Sequence, residues 1–289
     1  MRAALRLSPM TSALFVPAGN TKLLDSASAK RVPAVIVDLE DAIPPQEKER
    51  ARLGLAADIA RLRAGIGHIW VRINKPWMLL FPDLEAAVAA GADAIMVPKV
   101  ERESDVRIVA EILDALSPSG PQVIVSQIES SLGLLSMPRI AQTRPDRHAA
   151  LMLGPEDLAL ELGAVSTPEV MTAHAQSLIT AARSGGLMAI GSPGSIAEIT
   201  DMESYKRQLE AGKRMGFDAV VAIHPKQLGA IDAIFRPSDA QIAEARAVVQ
   251  GDRDNKGRPF TLAGRMVDAP IVARARKLLV RCGQLAPEI

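Results

Sequence analysis

The stretch Ala34-Val35-Ile36-Val37-Asp38-Leu39-Glu40-Asp41 is apolar on both sides of an extended chain until it meets three acids in four residues. An apolar run without alternation belongs to a parallel strand covered on both faces. Seven further runs share its texture: Ser12–Val16, His68–Ile73, Ala94–Pro98, Gln122–Ile128, Ala150–Leu153, Leu187–Ile190 and Ala219–His224. Stretches of helical period lie between them, clearest at Glu47–Leu62, Glu101–Leu116, Pro168–Ser184 and Met202–Met215 and shorter at Pro82–Ala90 and Leu132–Thr143. Several end at a glycine suited to a left-handed cap, as at Gly91, Gly185 and Gly216. Strand then helix, eight times over, predicts an α/β fold: a (β/α)8 TIM barrel. A doubly wound sheet is disfavoured because no G-x-G-x-x-G follows the first strand.

Beyond Pro237 the texture changes. Ser238–Val249 reads as a helix with Ser238 as its N-cap, Gly251–Arg258 as a polar loop and Ala269–Arg281 as a basic helix. The expected division is a barrel over 1–237 and an appended helical arm or lid over 238–289.

Composition narrows the function. In 289 residues, 34 Lys and Arg face 33 Asp and Glu, so no single-sign field is present to hold a polyanion. Aromatics make up 3%, too few for a base-stacking platform. One cysteine, Cys282, excludes an internal disulfide and a cysteine-based zinc site. The start carries Arg2, Arg6 and an apolar run, but Pro17 interrupts it where a signal sequence needs continuity. No run approaches the roughly 18 apolar residues of a bilayer span. A soluble, cytoplasmic protein without nucleic-acid or membrane partners is expected.

In such a barrel reactive groups stand at the C-terminal strand ends. Those ends carry Asp38-Leu39-Glu40-Asp41, Arg72 with Asn74, Lys99, Glu129, Glu156-Asp157 and His224. Glu129 and Asp157, on neighbouring strands, suit Mg²⁺, a hard cation that keeps part of its water; the alternative is Glu129 salt-bridged to Lys99 or Arg72. Glu40 and Asp41 read either as acids reaching a metal through water or as acids gathered at a helix N-terminus. Arg72 needs an anion: a substrate carboxylate held by its fork, or one of those acids. His224 reads as a base or as a structural hydrogen-bonder.

In order along the chain these segments resemble the citrate lyase β-subunit-like acyl-CoA lyases of the HpcH/HpaI aldolase superfamily. The opening Leu14-Phe15-Val16-Pro17 with Asn20 is similar to L-F-V-P-G-x-N, and Val37-Asp38-Leu39-Glu40-Asp41-Ala42-Ile43 with Lys48 and Ala51-Arg52 to D-L-E-D-A-V…K…A-R. Val71-Arg72-Ile73-Asn74, Val97-Pro98-Lys99-Val100, Ile128-Glu129-Ser130 and Gly154-Pro155-Glu156-Asp157-Leu158 continue the series. Ile223-His224-Pro225-Lys226-Gln227, Phe235-Arg236-Pro237-Ser238 and Gly264-Arg265-Met266-Val267-Asp268-Ala269-Pro270 complete it.

The resemblance implies a Mg²⁺-dependent carbon–carbon lyase whose substrate is a coenzyme A thioester of malyl, methylmalyl or citramalyl type. Glu129 and Asp157 would hold the metal, and Arg72, Pro98 and Lys99 the oxo acid. Phe15, Asn20, Lys22, His224 and Pro225 would contact CoA. Asp268, otherwise read as a helix N-cap, would act with Arg72, Glu40 and Asp41 in catalysis, its arm closing on a neighbouring subunit of a trimer or hexamer. Alternatives are a malyl-CoA thioesterase, a CoA-independent 2-oxo-acid aldolase, or a citrate lyase β subunit serving an acyl carrier. Thr11 stands where the family usually has Arg, Ser26 where it has Lys, Pro33 where Asp is common, and Gly191-Ser192-Pro193-Gly194-Ser195 where many members carry an Asp. Lys22 and Lys30 are positioned in sequence to replace the missing lysine.

Overall fold

The structure, a computed structural model, describes residue 7 and residues 10–285; Arg2 and Arg6, and the outermost residues of the two expected domains, lie outside them. Two compact units part between Phe235 and Arg236. In the first, eight parallel strands run β1 Ser12–Pro17, β2 Ala34–Asp38, β3 His68–Arg72, β4 Ala94–Val97, β5 Val123–Ile128, β6 His148–Leu153, β7 Met188–Ile190 and β8 Val220–Ala222. Their spatial order is β7-β6-β5-β4-β3-β2-β1-β8. The ring is completed between β7 and β8 by a bridge from Ile190 to Ala219, with Asp218 N donating to the Ala189 carbonyl at 2.8 Å. Eight strands in sequence order around a ring make the (β/α)8 barrel.

The outer layer comprises α1 Thr21–Ala29, α2 Lys48–Arg63, α3 Trp77–Ala89, α4 Glu103–Leu116, α5 Ser131–Ala141, α6 Pro155–Glu161, α7 Pro168–Ser184, α8 Met202–Met215 and α9 Pro225–Phe235. Two apolar clusters explain the strand pattern. Ile36, Trp70, Met96 and Val125 fill the lumen, while Val35, Val37, Ile69 and Ile95 pack outward with the helices. Both faces are buried, so neither alternates.

Differences from the sequence expectations have local causes. Helix α3 starts at Trp77 rather than Pro82; its first turn is closed by the Pro76 carbonyl accepting from Leu79 and Leu80 N, and Pro82 lies inside. A proline favours a first-turn position, which made Pro82 look like a start. Gly185 has φ −93°, and the left-handed residue is Gly186 at +71°.

The second unit consists of α10 Asp239–Asp254, a hairpin of β9 Phe260–Leu262 and β10 Arg265–Val267, and α11 Ala269–Arg281. Ser238 caps α10 in a reciprocal pair with Gln241. The loop expected from Gly251 begins later because α10 continues through Asp254. Gly251 is a packing glycine: a Cβ there would stand 2.6 Å from Cζ of Phe260. The hairpin was not read because its two-residue turn is Ala263-Gly264, both at positive φ, rather than Asn-Gly.

One buried group in the barrel wall ties stability to pH. His148 is buried, with Nε2 2.9 Å from the Ser126 hydroxyl and Nδ1 without a partner. Burial outweighs the opposing pull of nearby backbone groups and lowers its pKa to about 4. The unfolded ring titrates near 6.5, so unfolding takes up a proton between those values. Its contribution is complete above pH 6.5 and is lost as pH falls through the folded pKa. Between pH 7.5 and pH 5 the wild type should lose about 2 kcal/mol more than His148→Gln in urea unfolding; equal losses would remove the assignment.

Candidate active site

The acids after β2 are held by a scaffold. Asp38 Oδ1 accepts from Glu40 N at 2.9 Å and Oδ2 from Ala42 N at 3.1 Å, folding the chain into a tight turn. Lys48, on α2, donates to the carbonyls of Leu39 at 3.0 Å and Glu40 at 2.8 Å and to Asn74 Oδ1 at 2.6 Å. Asp83, 0% exposed, accepts from Arg52 Nε at 2.6 Å, Asn74 N at 3.0 Å and Asn74 Nδ2 at 2.6 Å. Lys48 and Arg52, quoted as motif residues, brace the turn from outside. Asp83 sits in mid-helix, where nothing local in the sequence distinguishes it.

Inside that turn Arg72 meets the acids. Its Nε and Nη2 donate to the two oxygens of Asp38, both at 2.7 Å; Nη1 lies 3.0 Å from Glu40 Oε2 and 3.2 Å from Asp41 Oδ2. The Nε–Nη2 edge is therefore taken by Asp38 and Nη1 lies between Glu40 and Asp41, while the guanidinium also covers the Phe15 ring at 4.9 Å. Burial alone would lower the Arg72 pKa, but the Asp38 bonds and the charges of Glu40 and Asp41 raise it. Lys99, at the end of β4, puts Nζ 2.8 Å from Glu40 Oε1 and 3.8 Å from both Asp41 Oδ1 and Asp157 Oδ2. Burial raises the Glu40 pKa against the opposing pull of Arg72 and Lys99.

Glu129 follows β5 and Asp157 stands in the first turn of α6, after β6. Glu129 is 4% exposed. Its Oε1 accepts from Lys99 N at 2.8 Å, and Oε2 accepts from Gln127 Nε2. Lys99 reaches this position with φ +51°, a left-handed backbone that aims its N–H at the carboxylate. Burial first, and the Asp157 charge second, push the Glu129 pKa up to about 7. Gly154 supplies the space: a Cβ there would stand 2.7 Å from Glu129 Cβ and 3.1 Å from Gln127 Nε2. Glu129 is thus salt-bridged to neither Lys99 nor Arg72. Its contact with Lys99 is through the backbone.

These groups line one cleft of about 430 Å³ at the barrel mouth, acidic on the β2, β5 and β6 side and apolar at Phe15, Met152, Ile196, Val221 and Ile223. Among the described residues no group of three His, Cys, Asp or Glu converges on a point. Glu129 and Asp157, which both line the cleft, are a pair of carboxylates it could present to a cation. Their chemistry fits a hard, partly hydrated ion: oxygen donors only, one carboxyl costly to ionise alone, and a glycine-made cradle beside it.

The remaining expected residues are more scattered. Pro98 is buried behind Lys99, and Phe15 lines the cleft. Asn20 caps α1, its Oδ1 accepting from Leu23 N at 3.1 Å, and Lys22 and Lys30 are exposed near either end of that helix. His224 Nδ1 accepts from Lys226 N at 3.2 Å, the structural alternative for this residue, and Pro225 begins α9. Thr11 donates to Asp232 Oδ1 at 3.2 Å. In the second unit Asp268 occupies the N-cap position of α11, yet its side chain makes no cap hydrogen bond and is exposed. Gln127 was not anticipated, because a single amide inside an apolar strand carries no pattern.

A family model described as HpcH/HpaI aldolase/citrate lyase matches residues 11–225. A (3S)-malyl-CoA thioesterase from Cereibacter sphaeroides is 33% identical over 287 residues, 96% of either chain. A citrate lyase subunit beta-like protein from Deinococcus radiodurans is 31% identical over 280 residues, 93% of this chain and 96% of its own. Protein CitE from Mycobacterium tuberculosis, solved in complex with magnesium, acetoacetate and coenzyme A, superposes at a TM-score of 0.72 with 28% identity, covering 98% of this chain and 100% of that one.

Gly154→Ala tests the cradle. The added methyl group should displace the Glu129 carboxylate and weaken Mg²⁺ binding in calorimetry by about tenfold or more. Unchanged affinity would show that the close approach is incidental.

Proposed function

Because the chain belongs to the HpcH/HpaI aldolase/citrate lyase family, a lyase family, we propose that it is a Mg²⁺-dependent acyl-CoA lyase. It would cleave or form the C2–C3 bond of a 3-hydroxyacyl-CoA of malyl, methylmalyl or citramalyl type, giving a 2-oxo acid and acetyl-CoA or propionyl-CoA. The observation that carries this reading is the buried Glu129, whose carboxyl is held up to about 7 beside Asp157. Glu129 is met by neutral donors only, with Lys99 at the far side of Asp157, and the related CitE was solved in complex with magnesium, acetoacetate and coenzyme A.

The residues divide the work. Glu129 and Asp157 hold the ion, which when bound supplies a Lewis acid for the hydroxyl and carboxylate oxygens of the substrate. Arg72, locked by Asp38, offers Nη1 to that carboxylate and fixes its orientation. Glu40 and Asp41 keep Arg72 and Lys99 in place and reach the ion through water. Pro98 and Lys99 close the oxo-acid end. The substrate hydroxyl would give up its proton to solvent water as its C–O becomes a carbonyl, and Asp268, on the arm of a neighbouring subunit in a trimer or hexamer, would protonate the thioester enolate carbon as acetyl-CoA leaves. Phe15, Asn20, His224 and Pro225 meet the CoA moiety. Lys22 and Lys30 face its phosphates in place of the lysine that Ser26 replaces.

The Cereibacter sphaeroides relative favours a second reading, hydrolysis of the thioester. Product analysis separates the two: a lyase releases acetyl-CoA with a 2-oxo acid, a thioesterase free CoA with a hydroxy acid.

Glu129→Gln and Asp157→Asn should each lower Mg²⁺-dependent kcat by roughly a hundredfold or more with circular dichroism unchanged; full activity in either removes the metal assignment. Arg72→Lys should raise KM for the oxo acid by about tenfold, since a point charge reproduces neither the Asp38 pair nor the aimed corner. Mixing inactive Asp268→Ala with inactive Glu129→Gln subunits should recover activity if the arm works across an interface, and no recovery would mean a self-contained site.

A further inference from the structure

Two loops contribute to the apolar side of the cleft, beside Phe15, Met152 and Val221 from the strands. One is the long irregular segment 191–201 after β7, which contributes Ile196; the other is the turn after β8, which contributes Ile223. Neither loop has a strand or helix of its own to fix it. Gln227, in the first turn of α9, lies beneath both and is 0% exposed. Its Oε1 accepts from Ile223 N at 2.9 Å and His224 N at 3.0 Å, while its Nε2 donates to the Ile196 carbonyl at 2.7 Å and the Glu198 carbonyl at 3.2 Å. An amide side chain has two donors and two acceptor sites, and here each is used on the two loops. The segment's other ties come before Ile196: Gln208 Nε2 donates to the Ser192 hydroxyl and the Ser195 carbonyl, Gly191 N to the Ala219 carbonyl and Ser195 N to the Ser166 carbonyl.

We propose that Gln227 is a positioning residue that sets the width of the apolar wall and thereby which substituent the thioester carries at its C2 carbon. It touches no substrate. Stitching the Ile196 carbonyl to the Ile223 and His224 amides holds the two isoleucine side chains at a fixed separation. Arg72 and Lys99 stand at the ends of β3 and β4, four places round the eight-stranded ring from β7 and β8, so a substrate whose carboxylate is gripped there directs its acyl carbons toward Ile196 and Ile223. A hydrogen at C2 clears the wall and a methyl group presses on it. Discrimination between a malyl and a methylmalyl thioester is then decided by loop position rather than by a contacting polar group. This rests on the acyl-CoA lyase reading above.

The test uses full-length Gln227→Met, which keeps volume and removes all four hydrogen bonds, and Gln227→Glu, which keeps the acceptors and turns the second oxygen against two carbonyls. Malyl- and methylmalyl-CoA cleavage is compared with that of Ile196→Ala, which widens the wall directly. Either Gln227 variant and Ile196→Ala should shift the ratio of kcat/KM for the two thioesters in the same direction by at least about fivefold, mainly through KM, with Mg²⁺ affinity within twofold of wild type. Equal losses on both thioesters, or no change, would overturn the role, since a merely structural glutamine lowers both together. If the wild type cleaves neither thioester, the lyase reading fails by itself. Hydrogen exchange then decides the positioning role: faster exchange over 191–201 with the rest of the barrel unchanged supports it, and unchanged exchange overturns it.

Discussion

Asp38, Glu40, Asp41, Glu129 and Asp157 stand at one mouth of the barrel beside the exposed Glu156, with Arg72 and Lys99 as the cations among them. Water would disperse such repulsion, but most of these groups are buried, where it is screened less. The arrangement meets this in two ways. On the β2 side each acid has a cationic or backbone partner: Asp38 takes the Arg72 fork, and Glu40 is pulled between Arg72 and Lys99. On the β5 side Glu129 receives only neutral donors and keeps its raised pKa. The charge deficit is therefore concentrated at Glu129 and Asp157, where an ion is wanted.

That division depends on geometry imposed from outside the cleft. The Asp38–Ala42 turn stays closed because Lys48 and Asn74 donate to its carbonyls and Asp83 holds Asn74 in place, and these residues come from α2, the β3 end and α3. Glu129 stays folded against Gly154 because Lys99 adopts a left-handed backbone. The apolar half of the mouth is fixed by Gln227 in the same manner, through backbone atoms of loops. Reactive side chains and their supports lie on different elements, which is why the motifs are short and widely separated along the chain.

Much of this was legible beforehand. The apolar runs located all eight strands, and Pro168–Ser184, Met202–Met215 and Ala269–Arg281 match their helices end to end. Polar residues closing apolar strands marked the mouth, because charge at a buried strand end has few other reasons to be there. The partners were not legible. Whether Arg72 faced a ligand or Asp38 was open in the sequence, and 34 residues separate the two positions that the β2–β3 register places side by side. Asp83 and Gln127 gave no signal, since a lone polar residue in a helix or strand looks the same whether solvated or fully bonded, and Gln227 stood in a quoted motif without a partner assigned to it.

The order of elements, their two-faced burial and the identity of the groups at the strand ends follow from the sequence alone, since periodicity and side-chain chemistry are local properties. The pairing of Arg72 with Asp38, the isolation of Glu129, the cradle at Gly154 and the tie at Gln227 were decided only when the ring closed. Hydrogen-bond partners are chosen by distances of about 3 Å between atoms far apart in the chain, and no local pattern records them.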